Sequence, residues 1–235
     1  MNLDFFQKIE AILNSERLDA YRGDGADEAL TLSRYALNMA LSESLYPALQ
    51  FAEIALRNVI HKAMSDHLGA DTWFIESRAR LLEWQRRSVI EAKRKLADNQ
   101  KPETPGRVVA ELNFGFWTGF FNREHAQTGI GHFLAGRSFP HAPRDEQDFT
   151  KLGHRWKKIR DLRNRVFHHE RILHWRDLDE RHQAILDIIA WMSPPLRKFV
   201  GSLDRFAVIR TGGLGPWMAS LQAIQANLRG LGYGS

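Results

Sequence analysis

The chain has 235 residues, 43% of them hydrophobic and 26% charged, the make-up of an ordinary globular protein with enough length for one large core or two small ones. It contains no cysteine, which excludes a disulfide framework, thiolate-ligated zinc and a cysteine nucleophile. A formal net charge of +5 permits a polyanionic partner without demanding one.

Strand-type alternation is scarce. Apolar residues recur three and four apart, so helices are expected nearly throughout. The first runs from Leu3 to Leu13. The N-terminal segment is acidic early and lacks a long apolar stretch, so no secretory signal is expected. Ser15 or Asp19 opens a second short segment, and Gly23-Asp24-Gly25 is a loop. A long helix or helix pair covers Asp27 to Leu68, with Pro47 at a break or first turn. Its stripe is Leu45, Leu49, Ala52, Leu56, Ile60 and Ala63, and Gly69 is its stop. Ser77 to Asn99 is the next helix and Lys101 to Gly106 a loop. Arg107 to Phe121 is helical and aromatic-rich, and Arg137 to Asp148 is the best candidate for a long connector. An amphipathic helix covers Phe149 to His168, and another runs from Asp177 to Met192, stopped by Ser193-Pro194-Pro195. The stretch Ile185 to Met192 contains Asp187 and is far too short to span a bilayer. Two more helical pieces, separated by Thr211-Gly212-Gly213, close the chain. No linker marks a second domain, so residues 1–235 are expected to form a single all-α domain, cytoplasmic and without a membrane partner.

The helix from Phe149 holds the most informative pattern. On a wheel at about 100° per residue, Leu152, Trp156, Ile159, Val166 and Phe167 share a stripe with Arg163 at its centre. A guanidinium keeps its charge, and burying it unpaired is costly, so Arg163 must be paired or line a cavity. Asn164 and His168 lie on the adjacent flank, one turn apart. Arg160 and Arg171 share that flank, with Lys157 beside it, and this basic face could hold a phosphate. A basic face is also the ordinary form of solvated surface. On an unbroken helix Arg163 and His168 point about 140° apart. They converge only if the helix ends or bends between them, or if a second subunit completes the site.

Other signals carry two readings each. The ten histidines invite a metal, but none form H-E-x-x-H, His61 and His67 are six apart, and His125, His132 and His141 lie in loop-like sequence, so no metal site is expected. Phe114, Phe116, Trp117, Phe120 and Phe121 can stack bases, although their helical spacing favours a core or an interface. The run Arg78 to Lys95 holds seven basic residues against few acids, either an RNA track or a solvated face. No phosphate-cradling glycine loop is present, so no nucleotide hydrolysis is expected.

The segment Arg163-Asn164-Arg165-Val166-Phe167-His168-His169-Glu170-Arg171-Ile172 resembles the R-N-x-x-x-H-H-x-R signature of the Abi-like (abortive-infection) proteins of the HEPN superfamily. Glu53-Ile54-Ala55-Leu56-Arg57-Asn58 is similar to that family's upstream E-x-x-L-R-N segment. Glu111-Leu112-Asn113-Phe114-Gly115-Phe116-Trp117 resembles its E-L-x-F-G-x-W element, and Ser15-Glu16-Arg17-Leu18-Asp19-Ala20-Tyr21 its S-x-R-L-x-x-Y opening. A Trp shortly after a glycine, Gly69 to Trp73, fits as well. These elements keep the family's order and cover residues 15 to 175.

The resemblance implies a HEPN-type helical bundle with additional flanking helices. It also implies a homodimer whose two motifs face each other across a cleft, and a metal-independent endoribonuclease that needs no cofactor. The chemistry is self-contained, because RNA supplies its own nucleophile, the 2′-OH. His168 suits the base or acid role. Arg163 suits stabilisation of the phosphorane charge. Asn164 orients the imidazole or contacts the phosphate, and Lys157, Arg160 and Arg171 hold neighbouring phosphates. His169 competes with His168 for the catalytic role but points to another face. Glu53 and Arg57 are spaced for an i,i+4 ion pair; they either form that pair alone or stand behind the site, with Glu53 neutralising Arg163. The biological role that the resemblance implies is a toxin or antiphage effector, restrained by an RNA or protein antitoxin. The alternatives are a non-catalytic RNA-binding protein in a ribonucleoprotein or toxin–antitoxin complex, and a helical dimeric interaction protein without nucleic acid.

Overall fold

The computed structural model describes residues 3–23 and 27–230. Among them the regular elements are helical and no strand occurs, so the chain is all-α, as the spacing of its apolar residues predicts. In chain order they are α1 (Leu3–Leu13), α2 (Ser15–Asp19) and α3 (Glu28–Leu68), then short 3-10 turns at Trp73–Ile75 and Ser77–Ala79. They continue with α4 (Glu83–Asp98), α5 (Pro105–Glu111), α6 (Phe114–Gly119), a 3-10 turn at Arg123–His125, α7 (Ile130–Ser138) and α8 (Phe149–Phe167). The last four are α9 (Leu178–Met192), α10 (Pro194–Leu203), α11 (Phe206–Gly212) and α12 (Gly215–Gly230). No helix among the described residues is long and apolar enough to cross a membrane.

The elements group into two compact units. One comprises Met1–Tyr46, Arg165–Leu178 and Asp204–Ser235, the other Pro47–Asn164 and Asp179–Leu203. The divisions follow no linker, and two of them fall inside α3 and α8. In the first unit, Phe6, Leu18 and Leu32 form a buried cluster covered by Phe5, Ile9, Leu13, Tyr35 and Leu221. In the second unit the core is aromatic. Trp73, Trp117, Trp156, Phe116, Phe120 and Phe139 are fully buried and meet at offset or edge-on angles, as in Phe116–Trp117 at 4.8 Å and Phe114–Trp156 at 5.9 Å, the arrangement ring quadrupoles favour. Gly153 in α8 permits close approach here: a Cβ on it would collide with the Phe121 carbonyl oxygen.

Several boundaries differ from the expectations, each for a local reason. Helix α3 does not break at Pro47 but runs through it. A mid-helix proline costs about 3 kcal/mol, and the burial of Leu41, Leu45, Ala48 and Leu49 around it offsets that. The expected stripe Leu45, Leu49, Ala52, Leu56, Ile60 and Ala63 is buried. Gly69 follows with φ +75° and donates its amide to Ser65, the left-handed stop that glycine accepts without strain. Helix α2 opens at Ser15, as expected, and Asn14 before it is the cap, accepting from the Glu16 amide at 3.1 Å. Helix α4 starts at Glu83 rather than Ser77, because Arg80 turns left-handed with φ 48° and Gln85 Oε1 accepts the Leu82 amide at 3.1 Å. The span 107–121 is two helices: Leu112 is extended and Asn113 caps α6 through the Phe116 amide at 2.9 Å. Helix α7 replaces the loop expected around His132 and takes Arg137 and Ser138 from the expected connector. Before the glycine pair at 212–213 the tail holds two helices rather than one, α11 restarting where Asp204 Oδ1 accepts the Phe206 amide at 2.9 Å. Gly23 is coil, and Asp24 and Gly25 lie outside the described residues.

Candidate active site

The second unit carries Arg163 and Asn164. Helix α8 is capped by Asp148, whose carboxylate accepts the Lys151 amide at 2.9 Å. Leu152, Trp156, Ile159 and Leu162 are buried in its packed face. Arg163 on that face is 27% exposed at its side chain, and its Nε lies 3.4 Å from Oε2 of Glu53 on α3, itself 28% exposed. The cation on the apolar stripe is thus compensated by the carboxylate that the sequence offered for it. Arg57, one turn after Glu53, directs its Nε at Asn58 Oδ1 at 3.4 Å. The expected i,i+4 pair between Glu53 and Arg57 therefore does not form, because Arg163 engages the carboxylate instead. Arg160 donates to the hydroxyl of buried Thr118 at 3.4 Å and has no acidic partner among the described residues. Lys157 and Asn164 are exposed.

The first unit carries the rest of the motif. Helix α8 ends at Phe167, between Arg163 and His168, so the angle of an unbroken helix does not govern His168. The Glu170 amide reaches back to the Arg165 carbonyl at 2.8 Å and the His169 amide to that of Val166 at 3.2 Å, a Schellman turn with His168 as C-cap. His169 occupies the position glycine ordinarily takes, with φ 57°. His168 is exposed, and its ring makes no hydrogen bond or ion pair among the described residues. Arg165 pairs with Glu170 at 3.2 Å and lies over the Trp175 ring at 5.2 Å. Phe167, expected on the buried stripe, is 37% exposed and stacks on Tyr46 at 5.5 Å, because the helix ends there.

The turn is tied down from far away in sequence. Asn38 Oδ1 accepts the amides of Ile172 at 2.8 Å and Leu173 at 3.0 Å, and its Nδ2 donates to the Glu170 carbonyl at 3.4 Å. Arg17 donates to the His169 carbonyl at 2.7 Å and to the Tyr35 hydroxyl at 3.1 Å. Arg171 donates to the Ala20 carbonyl and sits over the Tyr21 ring at 5.6 Å. Neither Arg17 nor Arg171 has an acidic partner among the described residues. Burial, then the neighbouring Tyr35, raises the Tyr21 hydroxyl above the usual tyrosine range. Burial, then the charges of Arg171 and Arg165, lowers His174. Sequence spacing gives no sign of Asn38, which sits 132 to 135 residues from its partners. Arg17 was legible only as a letter of a motif.

The remaining signals resolve locally. Phe114, Phe116, Trp117, Phe120 and Phe121 are buried, so they form core and offer no stacking face. His125 is enclosed, with Nε2 2.7 Å from Gln85 Oε1 and Nδ1 3.3 Å from Thr128 Oγ1. Burial lowers its pKa from 6.5 to about 4. His61 accepts the Trp73 indole N–H at 2.9 Å, and burial lowers it too. The described residues include no cluster of His, Asp and Glu able to hold a metal ion. No family model, no curated protein and no solved structure matches the chain.

Proposed function

We propose that the chain is a metal-independent endoribonuclease of the Abi-like HEPN type. The observation that carries this reading is the motif's local geometry. Arg163 is held at the packed face by Glu53, while His168 sits exposed on the turn that follows the same helix, its ring making no hydrogen bond among the described residues. A fixed cation and an accessible imidazole are the two groups that RNA transesterification asks of a protein.

In the proposed reaction the His168 imidazole takes the proton from a ribose 2′-OH. O2′ forms a bond to the adjacent phosphorus and the P–O5′ bond breaks. The proton passes to O5′, leaving a 2′,3′-cyclic phosphate and a 5′-OH end. Arg163 stabilises the charge that builds on the phosphorane oxygens, and Asn164 orients the imidazole or contacts the phosphate. Lys157, Arg160 and Arg171, none with an acidic partner among the described residues, hold flanking phosphates. Completion of the site by a second copy of the chain, action as a cytoplasmic toxin or antiphage effector, and restraint by an RNA or protein antitoxin all rest on the resemblance alone.

The test is cleavage of mixed RNA in excess EDTA by wild type and by His168→Ala. The expected result is cleavage by wild type only, unchanged by the chelator. RNA binding without cleavage by folded wild type, unchanged in His168→Ala, would replace this reading with an RNA-binding role.

A further inference from the structure

Beside the motif, wholly within the first unit, lies a cavity of about 390 Å³, the size of a small-molecule site. Its walls are Tyr21, Tyr35 and Tyr46, and Ser42, His169 and Arg17 add polar groups. The Tyr21 and Tyr35 rings meet edge to face at 5.1 Å, and Tyr46 is 47% exposed. The Ser42 hydroxyl and the His169 ring make no hydrogen bond among the described residues. Arg17 is clamped by the Tyr35 hydroxyl and the His169 carbonyl, so its guanidinium is fixed, yet no carboxylate among the described residues neutralises it. Glu43, the one acid in the lining among the described residues, is turned to Arg205 at 2.6 Å.

Aromatic walls, unspent hydrogen-bonding groups and a fixed uncompensated cation together match one ligand chemistry. We propose that this cavity binds a nucleoside monophosphate unit of the RNA substrate, its base against the tyrosines and within reach of Ser42 and His169, its phosphate on Arg17. Every base has a flat π-face that tyrosine can stack, and a rigid guanidinium matches a phosphate edge. His169 directly follows His168, so a nucleotide held here lies next to the proposed base or acid. The substrate assignment rests on the ribonuclease reading; the nucleotide-binding chemistry does not.

The experiment uses the full chain carrying His168→Ala, titrated by calorimetry with the four nucleoside 5′-monophosphates, with ribose 5-phosphate as the base-less control, and with a short single-stranded RNA as competitor. The expected result is saturable binding of at least one nucleotide, about tenfold weaker binding of ribose 5-phosphate, and displacement by the RNA. Ser42→Phe, which fills the cavity, and Arg17→Gln each weaken nucleotide binding about tenfold. Tyr46→Ala, at an exposed position, gives the same direction should Ser42→Phe not fold. Equal binding of ribose 5-phosphate, no saturable nucleotide binding, indifference to Arg17→Gln and Tyr46→Ala, or failure of the RNA to compete overturns the proposal. The two readings fail separately. Nucleotide and RNA binding without any cleavage by wild type keeps the cavity and discards the nuclease. Cleavage unaffected in rate and base preference by Arg17→Gln and Tyr46→Ala keeps the nuclease and discards the cavity.

Discussion

Helix α4 and the motif segment are both rich in basic residues, and the structure spends those charges in opposite ways. On α4, Arg86 and Arg87 share Glu83, Arg94 is bracketed by Glu91 and Asp98, Lys93 meets Glu103 and Lys95 meets Glu111. Its positive charge is largely consumed by neighbouring carboxylates. Around the motif, Arg163 and Arg165 have acids, while Lys157, Arg160, Arg171 and Arg17 have none among the described residues. A count of basic residues therefore misranks the two regions as sites for a polyanion. The charge left over after local pairing ranks them, and it favours the motif.

The strongest way to break this comparison is through the motif itself. His168→Ala should lower RNA cleavage by about 10²–10⁴-fold, measured as initial rates, with the melting temperature unchanged because the side chain is exposed. A smaller loss would move the base or acid role elsewhere, His169 first.

The second sharpening contrasts His168 with a histidine that the fold consumes. Folding holds His125 neutral, its pKa lowered from 6.5 to about 4. Between those values the unfolded chain binds more protons than the folded one. Stability should therefore rise with pH across that window, and fall by up to roughly 3 kcal/mol as pH drops from 6.5 to 4. Denaturant unfolding at pH 4.5 and pH 7 checks this, and His125→Gln should flatten the difference. An equal slope in both proteins contradicts the assignment.

Third, Glu53→Gln leaves Arg163 without its carboxylate and should cost about 1–2 kcal/mol. That is less than the loss of a fully buried pair, since about a quarter of each side chain stays exposed. Cleavage should fall as well. Normal stability and normal rate in this variant would separate Glu53 from the site.

The smallest effect is the most specific to the comparison. Lys157→Gln or Arg160→Gln should each reduce the salt slope of single-stranded RNA binding by about 0.7. Arg87→Gln, on the compensated helix, should leave that slope unchanged. Equal slopes for all three would mean that local pairing does not decide which cations meet RNA.

The helical class, the α3 stripe and the capping stop at Gly69 were legible in the sequence, because spacing and glycine chemistry act within a few residues. The need of Arg163 for a partner was legible for the same reason, and Glu53 was nameable from its motif. What escaped was set by tertiary packing. Pro47 inside α3 depends on buried leucines around it, and the compensation of α4 depends on Glu103 and Glu111 arriving from beyond the helix. The anchoring of the motif turn by Asn38 and Arg17 joins residues more than a hundred positions apart, where periodicity carries no signal. The glycine-like turn at His169 was also invisible, since a positive φ is uncommon at any residue other than glycine.

The central claim is that the substrate's own 2′-OH is the nucleophile and His168 serves it. The most direct measurement places a single 2′-deoxy nucleotide at a mapped cleavage position in a short RNA and compares it with the all-ribo strand, in EDTA. The account predicts that cleavage at that position disappears while other positions are still cut, and that the all-ribo products end in 2′,3′-cyclic phosphate. Cleavage at the 2′-deoxy position, or products ending in 5′-phosphate, would contradict it.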